Sequence, residues 1–374
     1  GGQEEYAILG FFYRLNYGYK DRYLFEASGR YDGSSRFRRG HRFGFFPAGA
    51  IGWMVSNEKW FEPATNVIDV LKLKASYGLV GNDDIGGQRR WVYESTIVNG
   101  GSWNYGQNGN EGGQGIVVGE VENLSASWEE ALKLNAGFEL SLFEKVKIQA
   151  DYFREKRSGI FLQRSGLPII VGVSTTPYVN VGETLNQGID ANLEYAQKVN
   201  DVFITARGNF TYNRNKMINN DDPDWEYKYQ NRIGKPFGSY GSVQPFGLKA
   251  IGLFSSQEEI DCSPRQTFGE YRVGDIKYQD MNGDGVIDSQ DEVALGYTNM
   301  PEIIYGFGAT AQWRNWDFNV FFQGVAHTSF FLAGASLRSP FSSGSMERSA
   351  VNADIYGNVW MSTNTPEQNA NAIY

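Results

Sequence analysis

Ten stretches of period-2 alternation constrain this chain more than any other feature in it. In the clearest pair, Leu132, Leu134, Ala136, Phe138, Leu140 and Leu142 are followed by Val146, Ile148, Ala150 and Tyr152. Lys133, Asn135, Glu139, Ser141, Lys147, Gln149 and Asp151 take the intervening places. Only a β-strand puts every second side chain on one face, and a slip of one residue would invert the whole set. Similar runs lie near 6–17, 22–32, 45–56, 67–80, 188–196, 202–213, 302–313 and 317–326. Short turns are expected near 18–21, 57–66, 143–145, 197–201 and 314–316, and long segments near 33–44, 81–126, 158–187 and 214–300. Short turns at one end of the strands and long loops at the other are the pattern of a barrel that crosses a membrane. The fold class is therefore all-β: an antiparallel transmembrane β-barrel with about ten strands visible.

Composition agrees with that class. Aromatics make up 15% of the 374 residues and glycines number 45, which suits interfacial girdles and tight corners. Mean hydropathy is −0.43, and no apolar run reaches the roughly 18 residues of a spanning helix. A barrel tolerates both, because each strand gives lipid only half its residues. The net charge of −9 argues against a nucleic-acid surface. Cys262 has no partner for an internal disulfide, and His41 and His327 are the only histidines. There is no GxSxG elbow, HExxH or phosphate loop, so no catalytic residue is assigned and an enzyme is not expected.

Residues 1–5 lead at once into a strand without the parts of a signal peptide, and 342–374 is polar and Asn-rich without a closing strand. A barrel in lipid must close. The sequence thus reads as a piece of a longer chain, with parts missing at both ends. Tyr17, Tyr23, Trp53, Trp60, Trp313 and Trp316 lie near strand ends, where girdle aromatics belong, and Pro47 suits a rim position.

Six segments in order resemble the SusC/RagA family of TonB-dependent outer-membrane transporters. They are Arg14 to Phe37 followed by Phe46-Pro47-Ala48, Leu71 to Asn82, Trp128 to Lys156, Val181 to Tyr195, Gly274 to Gly296, and Asn319 to Val325. The resemblance implies that residues 1–374 are part of one barrel domain, itself part of a plugged barrel of about 22 strands, with the plug outside this chain. It implies import of a nutrient, most often an oligosaccharide and sometimes a peptide, across the outer membrane of a Gram-negative Bacteroidota cell. The implied partners are a SusD-like surface lipoprotein, the TonB complex acting through the plug, and outer-membrane lipid.

Two kinds of residue stand out as candidate contacts. Asp280, Asn282, Asp284, Val286, Asp288 and Asp291 occupy the ligand spacing of an EF-hand-type loop, with Gly285 at its sharp turn. Ca²⁺ in a structural role is the functional reading; a tight Asp/Gly turn with hydrated carboxylates is the plain one. Trp91, Tyr93, Trp103 and Tyr105 in one loop, and Trp225, Tyr227 and Tyr229 in another, offer flat faces for sugar or peptide. Packing inside the loops accounts for them equally. Arg36, Arg38, Arg39 and Arg42 form a basic run that suits lipid headgroups, rim ion pairs or a solvated face, and it receives no site assignment.

Two rival folds remain open to sequence reasoning. One is a complete small outer-membrane β-barrel, a pore or adhesin. The other is a soluble carbohydrate-binding β-sandwich that buries its apolar strand faces between two sheets.

Overall fold

The computed structural model describes residues 5–86, 91–109, 111–164, 175–222, 224–236, 245–330 and 358–372. Strands β1 (Ile8–Tyr19), β2 (Tyr23–Ser34), β3 (Phe43–Met54) and β4 (Ile68–Asn82) are followed by a hairpin, β5 (Ile97–Tyr105) and β6 (Glu111–Val118). Next come β7 (Glu129–Leu142), β8 (Val146–Gln163), β9 (Tyr178–Val199) and β10 (Val202–Asn219). Short pieces follow: β11 (Phe246–Gly247), β12 (Ala250–Leu253), helix α1 (Gln257–Cys262), β13 (Arg265–Gln266), β14 (Ile276–Tyr278), β15 (Val286–Ile287) and β16 (Val293–Ala294). Strands β17 (Ile303–Trp313) and β18 (Trp316–Ala326) and helix α2 (Pro366–Ala370) complete the described elements.

Ten strands form one antiparallel sheet in the order β1-β2-β3-β4-β7-β8-β9-β10-β17-β18. Its register shows why the alternation is so regular. The row Leu71, Leu140, Ile148, Leu193, Gly208, Phe307, Phe322 runs across seven strands on one face. One residue along, Lys72, Glu139, Gln149, Asn192, Asn209, Gly306 and Gln323 form the neighbouring row on the other face. The apolar face is uncovered: Phe318 and Trp316 are 67% and 74% exposed. Leaving such side chains in water forfeits roughly 1.5–3 kcal/mol each, so this face calls for lipid. A sandwich would need a second large sheet against it, and every other sheet among the described residues has two strands.

Two compact units divide the chain. The first is Gly1–Asp224, Arg232–Phe237 and Glu302–Ala326, which contains the large sheet; the second is Trp225–Asn231, Gly238–Pro301 and His327–Tyr374. Most of the polar stretch expected after β18 falls in 331–357 and 373–374, outside the described residues.

Several connections differ from the sequence expectation. Strands β8 and β9 run further than their alternation suggests, so the long segment expected over 158–187 shrinks to 164–177. The loop expected over 81–126 holds the β5–β6 hairpin, whose Gly- and Asn-rich strands mask the alternation. The turn expected near 57–66 is a longer segment, 55–67, containing 3-10 helices Val55–Asn57 and Lys59–Ala64. Between these helices, the Glu58 carboxylate accepts hydrogen bonds from the Tyr23 hydroxyl (2.6 Å) and Trp53 Nε1 (3.1 Å). That fastens the segment to the aromatic end of β2 and β3. The turn after β7 places Phe143 and Glu144 at φ 55° and 54°, a region that costs a non-glycine residue roughly 1–2 kcal/mol. Asp69 opposes this cost by accepting the Glu144 N–H (2.6 Å) and the Ser141 hydroxyl (3.1 Å).

At the opposite, long-loop end of the first unit, Phe37, Ile85, Val92, Ala126 and Phe161 form a small buried core, with Trp128 and Tyr178 packed against it. Trp128 meets Phe37 and Phe46 at ring distances of 5.7 and 5.2 Å and donates from Nε1 to the Arg42 carbonyl at 2.8 Å. This core fixes the two loops that build the candidate site.

Candidate functional site

Above that core lies a cavity of about 540 Å³, lined by Tyr6, Ser35, Arg36, Arg42, Trp91 and Tyr93 among others. Its size falls in the range of small-ligand sites. A tight turn explains how residues 91–93 reach it: Glu94 N–H donates to the Trp91 carbonyl at 2.8 Å, Val92 is buried in the core, and Trp91 and Tyr93 on either side line the cavity. Phe37 does the same for the basic run. It is fully buried, leaving Arg36 and Arg42 half-buried on the cavity side while Arg38 and Arg39 stay exposed.

The arginines are held by defined contacts. Arg36 donates from Nη1 to the Asp83 carbonyl at 3.0 Å, lies 3.5 Å from Asp84, and stacks its guanidinium 4.6 Å from the Tyr6 ring centre. Its Nε is buried without a hydrogen-bond partner. Arg42 donates from Nε to the Phe37 carbonyl at 2.9 Å. The Tyr6 hydroxyl donates to Asp83 at 2.6 Å, and burial together with that carboxylate pushes its pKa up to about 12. Tyr6 therefore stays a protonated donor at neutral pH. The cavity offers cationic donors beside flat aromatic faces, a combination that holds polar or acidic ligands and performs no evident proton transfer.

The inner, polar face of the sheet forms a second lane. Lys74 reaches Asp151 at 3.0 Å and Glu139 at 3.5 Å; Lys72 also reaches Glu139, at 3.3 Å. Glu194 lies between Arg207 (3.4 Å) and Lys147 (3.9 Å). A cleft of about 550 Å³ opens along this face beside Gln149, Asn192 and Asn209. These half-buried pairs face the open cleft, and pairs within reach of solvent add up to about 1 kcal/mol each, so their main consequence is a polar wall of paired charges.

The remaining aromatic candidates separate. Trp103 and Tyr105 lie on β5, 55% and 51% exposed, and the Trp103 ring crosses the glycines of β6. Trp225, Tyr227 and Tyr229 belong to the second unit. There Tyr227 and Tyr229 stack at 5.4 Å, and the Tyr229 hydroxyl donates to the Gln290 carbonyl at 2.7 Å. Asn282 Nδ2 lies 3.5 Å from the Tyr227 hydroxyl. The structure thus joins two motifs that sequence reasoning kept apart, the tyrosine pair and the aspartate-rich loop. Burial, then the charge of Asp291, raises the Tyr229 pKa.

Within the 280–291 loop, side chains turn to the backbone. Asp280 accepts from the N–H of Gly283 (2.6 Å) and Gly285 (2.9 Å), and Asp284 from Val286 N–H (2.8 Å). Asp288 accepts from Gln290 N–H (2.7 Å) and Asn282 from Asp284 N–H (3.0 Å). Asp291, fully buried, accepts from Met281 N–H (2.7 Å) and Asp288 N–H (2.9 Å). Among the described residues, no group of three or more His, Cys, Asp and Glu is disposed to hold a metal ion. As folded here, the loop is shaped by its own amides.

Sequence reasoning did not bring Arg36 and Arg42 together with Trp91, because the shared core residues Phe37 and Val92 lie some fifty positions apart. It also left the inner lane unassigned, although every member sits at a polar position of the alternation.

Comparison with known proteins places this architecture. A model of the TonB dependent receptor-like β-barrel family matches residues 2–285. TonB-dependent receptor P26 of Formosa agariphila is 32% identical over 330 residues, covering 86% of this chain and 32% of that protein. TonB-dependent receptor SusC of Bacteroides thetaiotaomicron is 26% identical over 319 residues, covering 84% of this chain and 30% of that protein. The chain therefore spans about a third of the length of these curated relatives. A solved structure of the RagAB peptide transporter shares the fold, with a TM-score of 0.66 and 23% identity over 86% of this chain and 33% of that one.

Proposed function

We propose, from the premise that this chain belongs to the TonB dependent receptor-like β-barrel family of the outer membrane, that it supplies wall and outer loops to an active importer of SusC/RagA type. The observation that carries this reading is the two-faced sheet: an apolar face suited to lipid and, one residue away, a hydrated lane of balanced ion pairs. Among the described residues β1 and β18 end the sheet, and in the proposed barrel both edges pair with further strands, since unpaired edges are not viable in lipid. Residues 1–374 then belong to one barrel domain, with a plug elsewhere in the protein coupling it to the TonB complex. A SusD-like surface lipoprotein would meet the long-loop end. The chemistry is transport; no reaction is assigned to any side chain.

For cargo, an oligosaccharide is the leading reading. Trp91 and Tyr93 offer faces for sugar rings, and Arg36 and Arg42 offer donors for hydroxyl or acidic substituents. Trp103, Tyr105, Trp225, Tyr227 and Tyr229 are weaker candidates, the last two being engaged with the 280–291 loop. Peptide is the second reading, favoured by a fold neighbour described as a peptide transporter. Deleting the gene in its native host and growing the strain on single oligosaccharides or peptides distinguishes them. Loss confined to an oligosaccharide supports the leading reading, loss confined to peptides reverses it, and no loss on any nutrient rejects import. Combining Trp91→Ala with Arg42→Gln should lower uptake about tenfold at limiting cargo, the equivalent of roughly 1.4 kcal/mol.

Ca²⁺ binding by Asp280, Asn282, Asp284, Val286, Asp288 and Asp291 is a separate proposal. Each carboxylate oxygen keeps a second lone pair beyond its amide bond, and the ligand spacing supports the ion. Adding millimolar Ca²⁺ after chelation should slow proteolysis within 280–291; identical cleavage in chelator and Ca²⁺ rejects it.

A further inference from the structure

We propose that the outward face of β8–β10 carries a binding site for phosphate-bearing lipid headgroups, formed by Arg154, Lys156, Arg214 and Lys216. It rests on the membrane-barrel reading and is independent of cargo.

Strand register assembles the four cations. Arg154 pairs with Gln187 on β9, which pairs with Arg214 on β10. One row further, Lys156 pairs with Leu185, which pairs with Lys216. All four occupy the parity of Ile148, Ala150 and Tyr152, so they continue the lipid face beyond its apolar part. Two strand spacings separate the cations of each row by about 10 Å. Leu185, between the lysines, is only 8% exposed, as expected where aliphatic stems lie over it while their charges reach outward.

Height along the barrel decides what these charges meet. The outward residues of β10 are Val202, Ile204, Ala206, Gly208, Phe210 and Tyr212, then Arg214 and Lys216. Val202 pairs with Trp313, which pairs with Trp316, marking the girdle at the short-turn end. From Val202 to Tyr212 the strand rises about 34 Å, or about 26 Å of height at a tilt of about 40°. That is one apolar band of about 25 Å. Tyr212 shares its row with Ile189 and Tyr152, an interfacial aromatic level, and the cations begin one step beyond it. They stand at headgroup height in the leaflet on the long-loop side.

The local charge is positive. Lys156 meets Glu183 at 3.1 Å, and Glu130 is the nearest outward acid on β7. Arg154, Arg214 and Lys216 make no ion pair among the described residues, and both arginines are exposed. The corresponding outward ends of β1–β4 carry Leu9, Tyr31, Phe43 and Leu79, with no cation. Compared with β1–β4, the cluster is therefore a local feature of β8–β10. Charge complementarity selects an anionic headgroup, and two guanidinium forks favour phosphate, which they bind through paired hydrogen bonds.

The test uses the native polypeptide carrying this sequence, purified from outer membranes and reconstituted in nanodiscs of zwitterionic lipid with or without a phosphorylated outer-leaflet glycolipid. Native mass spectrometry counts retained lipid, and thermal unfolding reports its effect. Wild type should retain the glycolipid and unfold at a higher temperature with it. The quadruple variant R154Q/K156Q/R214Q/K216Q should retain at least fivefold less and lose the shift. R154K/R214K, which keeps the charge and removes the forks, should fall between them. Lys133→Gln, on the inner face, should match wild type. Heat-modifiable gel mobility establishes that each variant folds. Equal retention by wild type and the quadruple variant overturns the proposal, as does an equal shift from inorganic phosphate alone.

Discussion

The ten-stranded sheet and the loop region between β10 and β17 satisfy their backbone groups by opposite means. In the sheet, backbone pairs with backbone over long registers, and side chains are left to sort themselves between lipid and water. In the loop region, the pairings β11–β16, β12–β14 and β13–β15 are two to four residues long, and Asp and Asn side chains take much of the amide load. A sheet position thus tolerates many side chains of the right polarity. A loop position such as Asp291 or Gly283 is more restricted, because the Asp291 carboxylate is part of the backbone's hydrogen bonding and Gly283 holds a positive φ.

The sharpest way to break this contrast is to reverse polarity on the sheet. Ile148→Arg puts a charge at mid-height of the lipid face and should cost about 2–4 kcal/mol in liposome unfolding by urea. Gln149→Arg, one residue away on the inner face, should stay within about 1 kcal/mol of wild type. Equal effects would mean that the faces are misassigned.

A smaller loss, about 2 kcal/mol, is expected for Asp291→Ala, which removes the buried carboxylate that the half-buried amides of Met281 and Asp288 bond to. Hydrogen exchange should rise across 280–291 and leave β7–β10 unchanged; exchange that rises equally in both would join the two regions into one cooperative unit. Gly283→Ala should cost about 1 kcal/mol, because Gly283 sits at φ 79° with open space around its α-carbon. Here the strain is conformational, so proteolysis within the loop should quicken without any change in the sheet.

The smallest effect is one of pH. The Glu259 carboxylate, bonded to Lys277 at 2.8 Å and to the N–H and hydroxyl of Ser255, has its pKa lowered to about 2. A folded pKa below the unfolded value of 4.5 stabilises above pH 4.5, and that contribution is lost as pH falls towards 2. Glu259→Gln should flatten this part of the local exchange profile around α1. A variant with the wild-type acid response would assign that response elsewhere.

Much of the sheet was legible because its signal is local: Leu132 to Leu142 and Val146 to Tyr152 declare their faces by sequence alone. The far ends of β8 and β9 were not, since past Tyr152 the outward face turns from apolar to Arg154 and Lys156 and the polarity contrast disappears. The 280–291 turn was legible as a turn, because Asp and Gly at those spacings favour one. Its partner, the Tyr227–Tyr229 stack, was not, for nothing in a residue's neighbours reveals what arrives from fifty positions away.

By itself, then, the sequence determined the central stretches of the ten long strands, which face their side chains take and where the short turns fall, because alternation and turn chemistry act over a few residues. Tertiary structure alone decided that Phe37 and Val92 share a core and so bring Arg36, Arg42, Trp91 and Tyr93 to one cavity. It also decided that Arg154 stands in register with Arg214 across β9. Both depend on registers and loop closures between distant segments, which are fixed by packing and backbone pairing of the whole chain.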